Sequence, residues 1–304
     1  MNNKKILVVG CGLSGIVIAR ELASKGFSVD VIDKRNHVGG NIYDYTNKHN
    51  IRIHKYGPHL FHTNNQKVYD YVNKFVEWVP YQHRVKALLD NGNYVTLQVN
   101  KETAEIVGSQ NIINTFFRPY SEKMWGCSLE EISPKILERV PIRNDLNELY
   151  FPDDKYQIVP KYGYTNFVNK ILEHSNINVI LNKSFDKSIE KNYLHIFNSM
   201  PIDEYYQFKY GELDYRSIKF KNINLPLNNL LPVATVNFTN NGPYTRITEW
   251  KKIPCHGENS YVTTLTYEEP CSFRENNNLK FYPVKDILGE NKKLYIKYSD
   301  ITND

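Results

Sequence analysis

Nothing in this chain of 304 residues is arranged for a disulfide framework or a cysteine-bound metal. The four cysteines, Cys11, Cys127, Cys255 and Cys271, form no CxxC pair and keep no ligand spacing with histidine. They read as free thiols of a reducing compartment. No apolar stretch approaches the roughly 20 residues a membrane helix requires. The opening Met1-Asn2-Asn3-Lys4-Lys5 leads into a strand and lacks the apolar segment of a secretory leader. These absences predict a cytoplasmic protein without a membrane span. Charge is equally unconcentrated, since 38 Lys and Arg against 33 Asp and Glu leave a net +5 with no long run of one sign. A nucleic-acid surface needs a basic stripe, so no nucleic-acid partner is expected, and the balance suits anionic small molecules. Internal repeats and low-complexity linkers are lacking too.

What is present starts at once. Lys4-Lys5-Ile6-Leu7-Val8-Val9 is an apolar strand that runs into Gly10-Cys11-Gly12-Leu13-Ser14-Gly15 and then into an amphipathic run, Ile16 to Ala23. Strand, G-x-G-x-x-G and helix in that order mark a dinucleotide site. Gly10 permits the tight turn, Gly12 the approach of a pyrophosphate, and Gly15 close helix–strand packing; the helix start at Leu13 and Ser14 aims amides at the phosphates. A second strand ends at Asp33-Lys34, about twenty residues on, where a carboxylate can accept bonds from an adenosine ribose. The same turn serves nicotinamide and flavin cofactors. The continuation Arg35-Asn36-His37-Val38-Gly39-Gly40-Asn41 resembles the extension found in flavoproteins of the amine-oxidase and glutathione-reductase type, which favours FAD.

Further along, residues 51–54 alternate like a short strand and lead into a loop with two histidines, His59-Leu60-Phe61-His62. Residues 66–75 have helical spacing, and Asp90-Asn91-Gly92 between two alternating runs is a hairpin signal. The pattern is helical over residues 101–138, with breaks at Pro119 and Pro134. A helix over 166–174, strands at 178–181, 195–197, 233–238 and 261–265, and a last helix within 288–304 complete the reading. His59 and His62 stand three apart, but no carboxylate or cysteine completes a site nearby, so no metal is expected.

Several motifs in order resemble the UDP-galactopyranose mutases. They are the glycine fingerprint, Gly39-Gly40-Asn41, His54-x-Tyr56-Gly57-Pro58-His59-x-Phe61-His62-Thr63, Tyr120-x-x-Lys123-x-Trp125-Gly126, Arg139-Val140-Pro141-Ile142-Arg143, Pro243-Tyr244-Thr245-Arg246-Ile247-Thr248-Glu249 and Tyr282-Pro283-Val284. The resemblance covers essentially the whole chain. It implies an α/β fold: a Rossmann-like FAD-binding domain with a small helical insertion and an antiparallel β-sheet substrate domain. Residues 1–80 would form the FAD-binding unit and cofactor loop, 81–100 a hairpin, 101–145 the insertion, 146–266 the mixed sheet with returning FAD-domain elements, and 267–304 a C-terminal segment.

The implied reaction interconverts UDP-galactopyranose and UDP-galactofuranose through a reduced-flavin N5–sugar adduct, for cell-surface polysaccharide synthesis. In that scheme Arg143 and Arg246 stabilise the departing diphosphate, and arginine suits the task because its planar fork pairs two phosphate oxygens at once. Tyr156 and Tyr282 match positions that bond the diphosphate, and Asn237 one that faces the sugar. Tyr120 and Trp125 match the uridine pocket, with Phe116, Phe117 and Ser121 around it. His62 matches a catalytic histidine beside the flavin ring; His59 and Leu60 lie in the cofactor loop, and Gly40 and Asn41 in the extension. Read without the resemblance, Tyr120 and Trp125 are ordinary helical core aromatics and Arg143 a surface residue.

Two departures from the family pattern stand out. The helical insertion is short by some tens of residues, so a homo-oligomeric state does not carry over. By Asp304 the sequence has not reached the Gly-Arg strand and closing helix that family members place near the FAD and substrate phosphates. A fragment, a divergent relative with degenerate activity, and completion by another chain all fit that observation. Two other readings remain at this level: an FAD-dependent amine-oxidase-like oxidoreductase, and a non-catalytic UDP-sugar-binding relative.

Overall fold

The structure is a computed structural model that describes residues 5–131, 142–284 and 288–301. Lys4 of the opening strand, Pro134 and the end of the 101–138 helical pattern, the Arg139-Val140-Pro141 half of its motif, and the last three positions of the 288–304 helix lie outside the described residues.

Lys5–Val9 and Ser28–Ile32 are the central pair of a four-stranded parallel sheet, flanked by Ile177–Ile180 and His195–Asn198. Both faces of such a sheet are covered, which is why its central strands are apolar on successive residues. Val8, Val29 and Val31 pack beneath the helices Leu13–Ser24 and Tyr164–Leu172, while Leu7, Val9 and Ile32 face Phe185, Ile189 and Tyr193. One charge interrupts the apolar run. Asp30 is buried but receives bonds from Asn178 Nδ2 at 3.0 Å and the Tyr193 hydroxyl at 2.8 Å, and pairs with Lys5 Nζ at 2.7 Å. Lys5 and Asn178 sit on the strands either side, so a satisfied carboxylate ties three strands together.

The second layer is a seven-stranded sheet in the order Tyr282–Pro283, Tyr215–Leu225, Thr263–Ser272, Arg246–Glu249, Thr235–Phe238, Val85–Leu88, Tyr94–Leu97. Neighbours are antiparallel except Thr235–Phe238 with Val85–Leu88, which run parallel. The Asp90-Asn91-Gly92 hairpin therefore forms the edge of the large sheet. Strand alternation separates two faces. Val236, Ile247 and Leu265 point into one core, with Ile223, Phe238 and Tyr267 against it. Asn237, Arg246 and Glu268 share a row on the other face, because Asn237 pairs with Arg246 and Arg246 with Glu268. The strand expected over 261–265 in fact runs from Thr263 to Ser272. Its Glu268 breaks the apolar alternation because its partner is a charge across the sheet.

The helical insertion packs on that second face. Helix Lys101–Val107, capped by the Asn100 side chain, leads through a π turn, Ile113–Phe117, into helix Arg118–Trp125, which ends at Gly126 in the left-handed region. Pro119 follows just after the π turn, so the helical run passes through a residue that donates no N–H. Ile112 and Phe116 pack on Ala87, Val95 and Val99 of the hairpin.

A third, three-stranded sheet, Phe61–Thr63, Tyr156–Pro160 and Trp78–Pro80, joins the two layers. Next to it Asp44 caps helix Tyr164–Leu172, accepting the amides of Tyr164 at 2.7 Å and Thr165 at 2.8 Å, while Thr165 Oγ1 donates to the Asp44 carbonyl at 2.7 Å. Asp44→Ala should lower unfolding free energy by about 2 kcal/mol, since two buried helix-end amides lose their acceptor. Urea melts test this. A change below about 0.5 kcal/mol would mean that the cap carries no stability.

Candidate functional site

The glycine turn has the geometry of a dinucleotide cradle. Gly10 adopts φ +104°, and a Cβ on Gly15 would lie 2.1 Å from the Gly10 carbonyl oxygen, so both must be glycine. The extension secures the turn from outside, as the Gly39 amide donates to Cys11 O at 2.8 Å and a Cβ on Gly40 would meet Gly12 Cα at 2.9 Å. Helix Leu13–Ser24 has Gly12 as its N-cap with no side-chain cap bond, and Leu13 and Ser14 are exposed. Its first amides therefore lack a side-chain acceptor, as phosphate binding requires. Asp33 is half-buried, and its carboxylate accepts the amides of Cys11 and Arg35, each at 2.8 Å. A carboxylate has further lone pairs, so holding the turn and meeting a ribose are compatible. Lys34 pairs with Glu204 at 3.4 Å and Asn41 is exposed. Burial first, and Asp33 second, push the Cys11 thiol up to about 12, which leaves it a small core residue.

The loop after this cradle is held by neutral histidines. The His59 amide donates to His54 Nδ1 at 3.1 Å, so the His54 proton is on Nε2, facing His256 Nε2 at 3.0 Å. His256 in turn donates from Nδ1 to Pro254 O at 2.8 Å. Burial pushes His54 well down and His256 down to about 4. His59 adds a bond between its Nδ1 and Gly57 O at 2.9 Å, and the Tyr56 hydroxyl meets His37 Nε2 at 2.8 Å, joining the loop to the glycine extension. Leu60 packs beneath, against the core around Trp250 and Ile253.

Gly57 is where the loop touches the large sheet. Its φ is +85°, and a Cβ there would lie 3.2 Å from the Phe220 ring and 3.3 Å from Glu268 Oε1. Above Glu268 lies Arg246. Its Nε is 3.5 Å from Glu268 Oε2, and its Nη2 donates to the Tyr120 hydroxyl at 2.9 Å. Burial alone would lower the Arg246 pKa, but Tyr120, Glu268, Tyr150 and Tyr282 outweigh it, and the net shift is upward. Burial also pushes Glu268 up, partly offset by Arg246. Along this row, Asn237 Oδ1, Arg246 Nε and Glu268 Oε1 are buried without hydrogen-bond partners.

The expected site residues thus divide. Asn237, Tyr120 and Tyr282 come together around one half-buried cation, Arg246. Trp125 is half-exposed at the end of the same helix as Tyr120, and Ser121 is buried in it. Phe116 faces the insertion core, and Phe117 lies against it, because the π turn directs both toward the hairpin. The Arg143 guanidinium donates to Leu149 O at 3.0 Å and to Asn147 O, bracing the loop that leads into Tyr150. Tyr156 is elsewhere, stacked on Tyr69 with ring centroids 3.8 Å apart and its hydroxyl on Gln66. His62 Nδ1 meets Asp154 at 2.5 Å and its ring stacks on Phe151 at 3.6 Å. It reaches the cation only indirectly, since Phe151 contacts Tyr150, one of the phenols around Arg246.

Sequence reasoning passed over Glu268, Tyr150 and His83. His83 is buried beside Tyr150 and Phe151, and burial together with Arg246 pushes it down to about 3. The signal for Glu268 was a carboxylate in the inward register of a strand, legible only once its partner strand is known.

A family model described as UDP-galactopyranose mutase matches residues 115–304, and one described as an NAD(P)-binding Rossmann-like domain matches residues 8–75. A probable UDP-galactopyranose mutase from Klebsiella pneumoniae is 35% identical, covering 95% of this chain and 84% of its own. A dTDP-fucopyranose mutase from Escherichia coli is 30% identical over 94% of this chain and 86% of its own. A crystal structure of reduced UDP-galactopyranose mutase superposes with a TM-score of 0.76 at 16% identity, covering 98% and 86% of the two chains, and shares the fold.

Two outcomes test this geometry. Arg246→Met should destabilise by about 3 kcal/mol by stranding Glu268, and Arg246→Met with Glu268→Gln should recover most of that. Additive losses in the double variant would show that the pair is not coupled. The second concerns pH. His256 is neutral when folded and ordinary when unfolded, so its contribution is complete above pH 6.5 and is lost as pH falls toward 4. Over that window His256→Asn should lose about 3 kcal/mol less than wild type, which also carries the losses from His54 and His83 that both proteins share, measured by urea melts.

Proposed function

The chain belongs to the UDP-galactopyranose mutase family, and from that premise we propose that it binds FAD on the glycine turn and, with the flavin reduced, interconverts UDP-galactopyranose and UDP-galactofuranose. Reduced FAD, when bound, would supply the nucleophile that takes the sugar from UDP. The glycine turn fits such a group, with its close-approach glycines and free helix amides.

The observation that carries this reading is the row of Asn237, Arg246 and Glu268 on one sheet face, with Asn237 Oδ1 and Glu268 Oε1 buried and unbonded, meeting the cofactor loop at Gly57. Buried polar groups in a finished core are hydrogen-bonded, so the open acceptors Asn237 Oδ1 and Glu268 Oε1 call for a ligand with hydroxyls, and the Arg246 cation between them for one with negative charge. A sugar diphosphate has both. Arg246 would meet the charge that develops on the departing diphosphate, and a desolvated cation stabilises it more in the transition state than in the bound substrate. Glu268 holds the guanidinium's other edge, fixing its plane, while Tyr120 and Tyr282 would present hydroxyls to the diphosphate. Asn237 Oδ1 would accept from a sugar hydroxyl. Trp125, half-exposed on the helix of Tyr120, would stack on the uracil.

The decisive experiment is to purify the chain, look for bound flavin absorbance, reduce it with dithionite and follow UDP-galactofuranose to the pyranose form by chromatography. Conversion is expected only after reduction, and Arg246→Ala should lower kcat by about 10²-fold or more. Absence of bound flavin, or no conversion by the reduced protein, removes the proposal. dTDP-fucofuranose assayed alongside reads the sugar and base preference.

A further inference from the structure

Lys123 lies one helical turn after Tyr120 in helix Arg118–Trp125, on the same side. Its ammonium donates to Phe238 O at 3.2 Å, Asn240 O at 2.9 Å and Tyr244 O at 2.9 Å. Three donors and three carbonyls match one to one. The carbonyls belong to the connection between the strand that carries Asn237 and the strand that carries Arg246. The helix end is held by a second cation, Arg216, whose Nε donates to Met124 O at 2.8 Å and Nη2 to Lys123 O at 3.2 Å. A Cβ on Gly126 would run into that guanidinium at 2.8 Å. The two cations thus pin the helix to two different parts of the sheet.

We propose that Lys123 is a positioning residue for the sugar nucleotide: by clamping the 238–244 connection it sets the helix of Tyr120 and Trp125 at a fixed height over Asn237 and Arg246, joining the nucleoside end of the site to the diphosphate end. This rests on the function proposed above. A ligand that spans both ends binds well only when their separation is preset, so the clamp lowers the ordering cost of binding. It touches no reacting atom, so loss of the clamp falls on binding before chemistry.

The environment of the ammonium makes the clamp titratable. On its own helix Arg118 and Glu122 pair with each other at 3.2 Å. The adjoining strands bring Arg216 and, through Tyr120, Arg246; the connection brings the Tyr244 phenol with the Tyr267 ring 5.0 Å from it. Among the described residues no carboxylate pairs with Lys123, and burial pushes its pKa down to about 8. Loss of the proton removes the charge and one of the three donors.

The test compares reduced wild-type protein with Lys123→Met and Lys123→Gln, checking flavin content and melting temperature in each. The expected result is a rise of about tenfold or more in KM for UDP-galactofuranose and in the UDP dissociation constant, with kcat moving less than about threefold. Wild-type KM should also rise above pH 8 where the variants stay flat, a measurement that needs no variant to fold. Hydrogen exchange without ligand should be faster at residues 118–125 and 238–244 in Lys123→Met than in wild type, with the parallel sheet unaffected. Equal loss of kcat and kcat/KM, or a wild-type KM that stays flat from about pH 7 to about pH 10, overturns the assignment. A wild type that turns over no substrate defeats the proposed function instead, and the exchange measurement then decides the clamp, with unchanged rates rejecting it.

Discussion

A half-buried guanidinium held against a sheet is the constraint around which this molecule is arranged. Arg246 cannot shed its charge, so the fold must surround it with groups that favour the cation, and it does so from several elements: Glu268 from the next strand, Tyr120 from the insertion helix, Tyr150 from the loop after Arg143, and Tyr282 from the far edge strand. Each needs its own element in place. The insertion, the loop over residues 143–150 and the C-terminal edge of the sheet are therefore coupled through one charge.

The cofactor side meets this cluster by a contact that tolerates no side chain. Gly57 rests on Glu268 and Phe220, and the loop it belongs to is held by histidines kept neutral by burial. Hydrogen bonds between neutral groups suit this junction, because further positive charge there would be opposed by burial and by Arg52. The glycine turn, loop and sheet are joined by short contacts of buried rings and of Gly57, not by long exposed side chains.

Cations recur as fasteners. Lys123 and Arg216 both fill carbonyls at the margins of the insertion helix, and Arg143 does the same for its own loop. Carbonyls at helix ends and strand connections have no partner within their own element, and long cationic side chains from neighbouring elements reach them. Motif membership alone does not tell which groups an arginine meets: Arg143 fills carbonyls of its own loop, whereas Arg246 meets Glu268 and Tyr120.

The sequence by itself determined the features whose cause is local. The strand, glycine turn and helix of the first forty residues, the Asp90-Asn91-Gly92 hairpin and the helix expected over 166–174 and found at Tyr164–Leu172 each depend on residues within a few positions of one another, so periodicity and turn chemistry located them. The order of motifs identified the family. Tertiary structure alone decided what depends on register across strands far apart in sequence: Glu268 opposite Arg246, Asn237 beside it, and the extension of the Thr263–Ser272 strand past its apolar stretch. It also redirected Tyr156 to Gln66 and Tyr69, Phe116 to the hairpin and the Arg143 guanidinium to Asn147 and Leu149. A side chain's partner is set by which backbone passes within reach, and that is a property of packing, which no local pattern records.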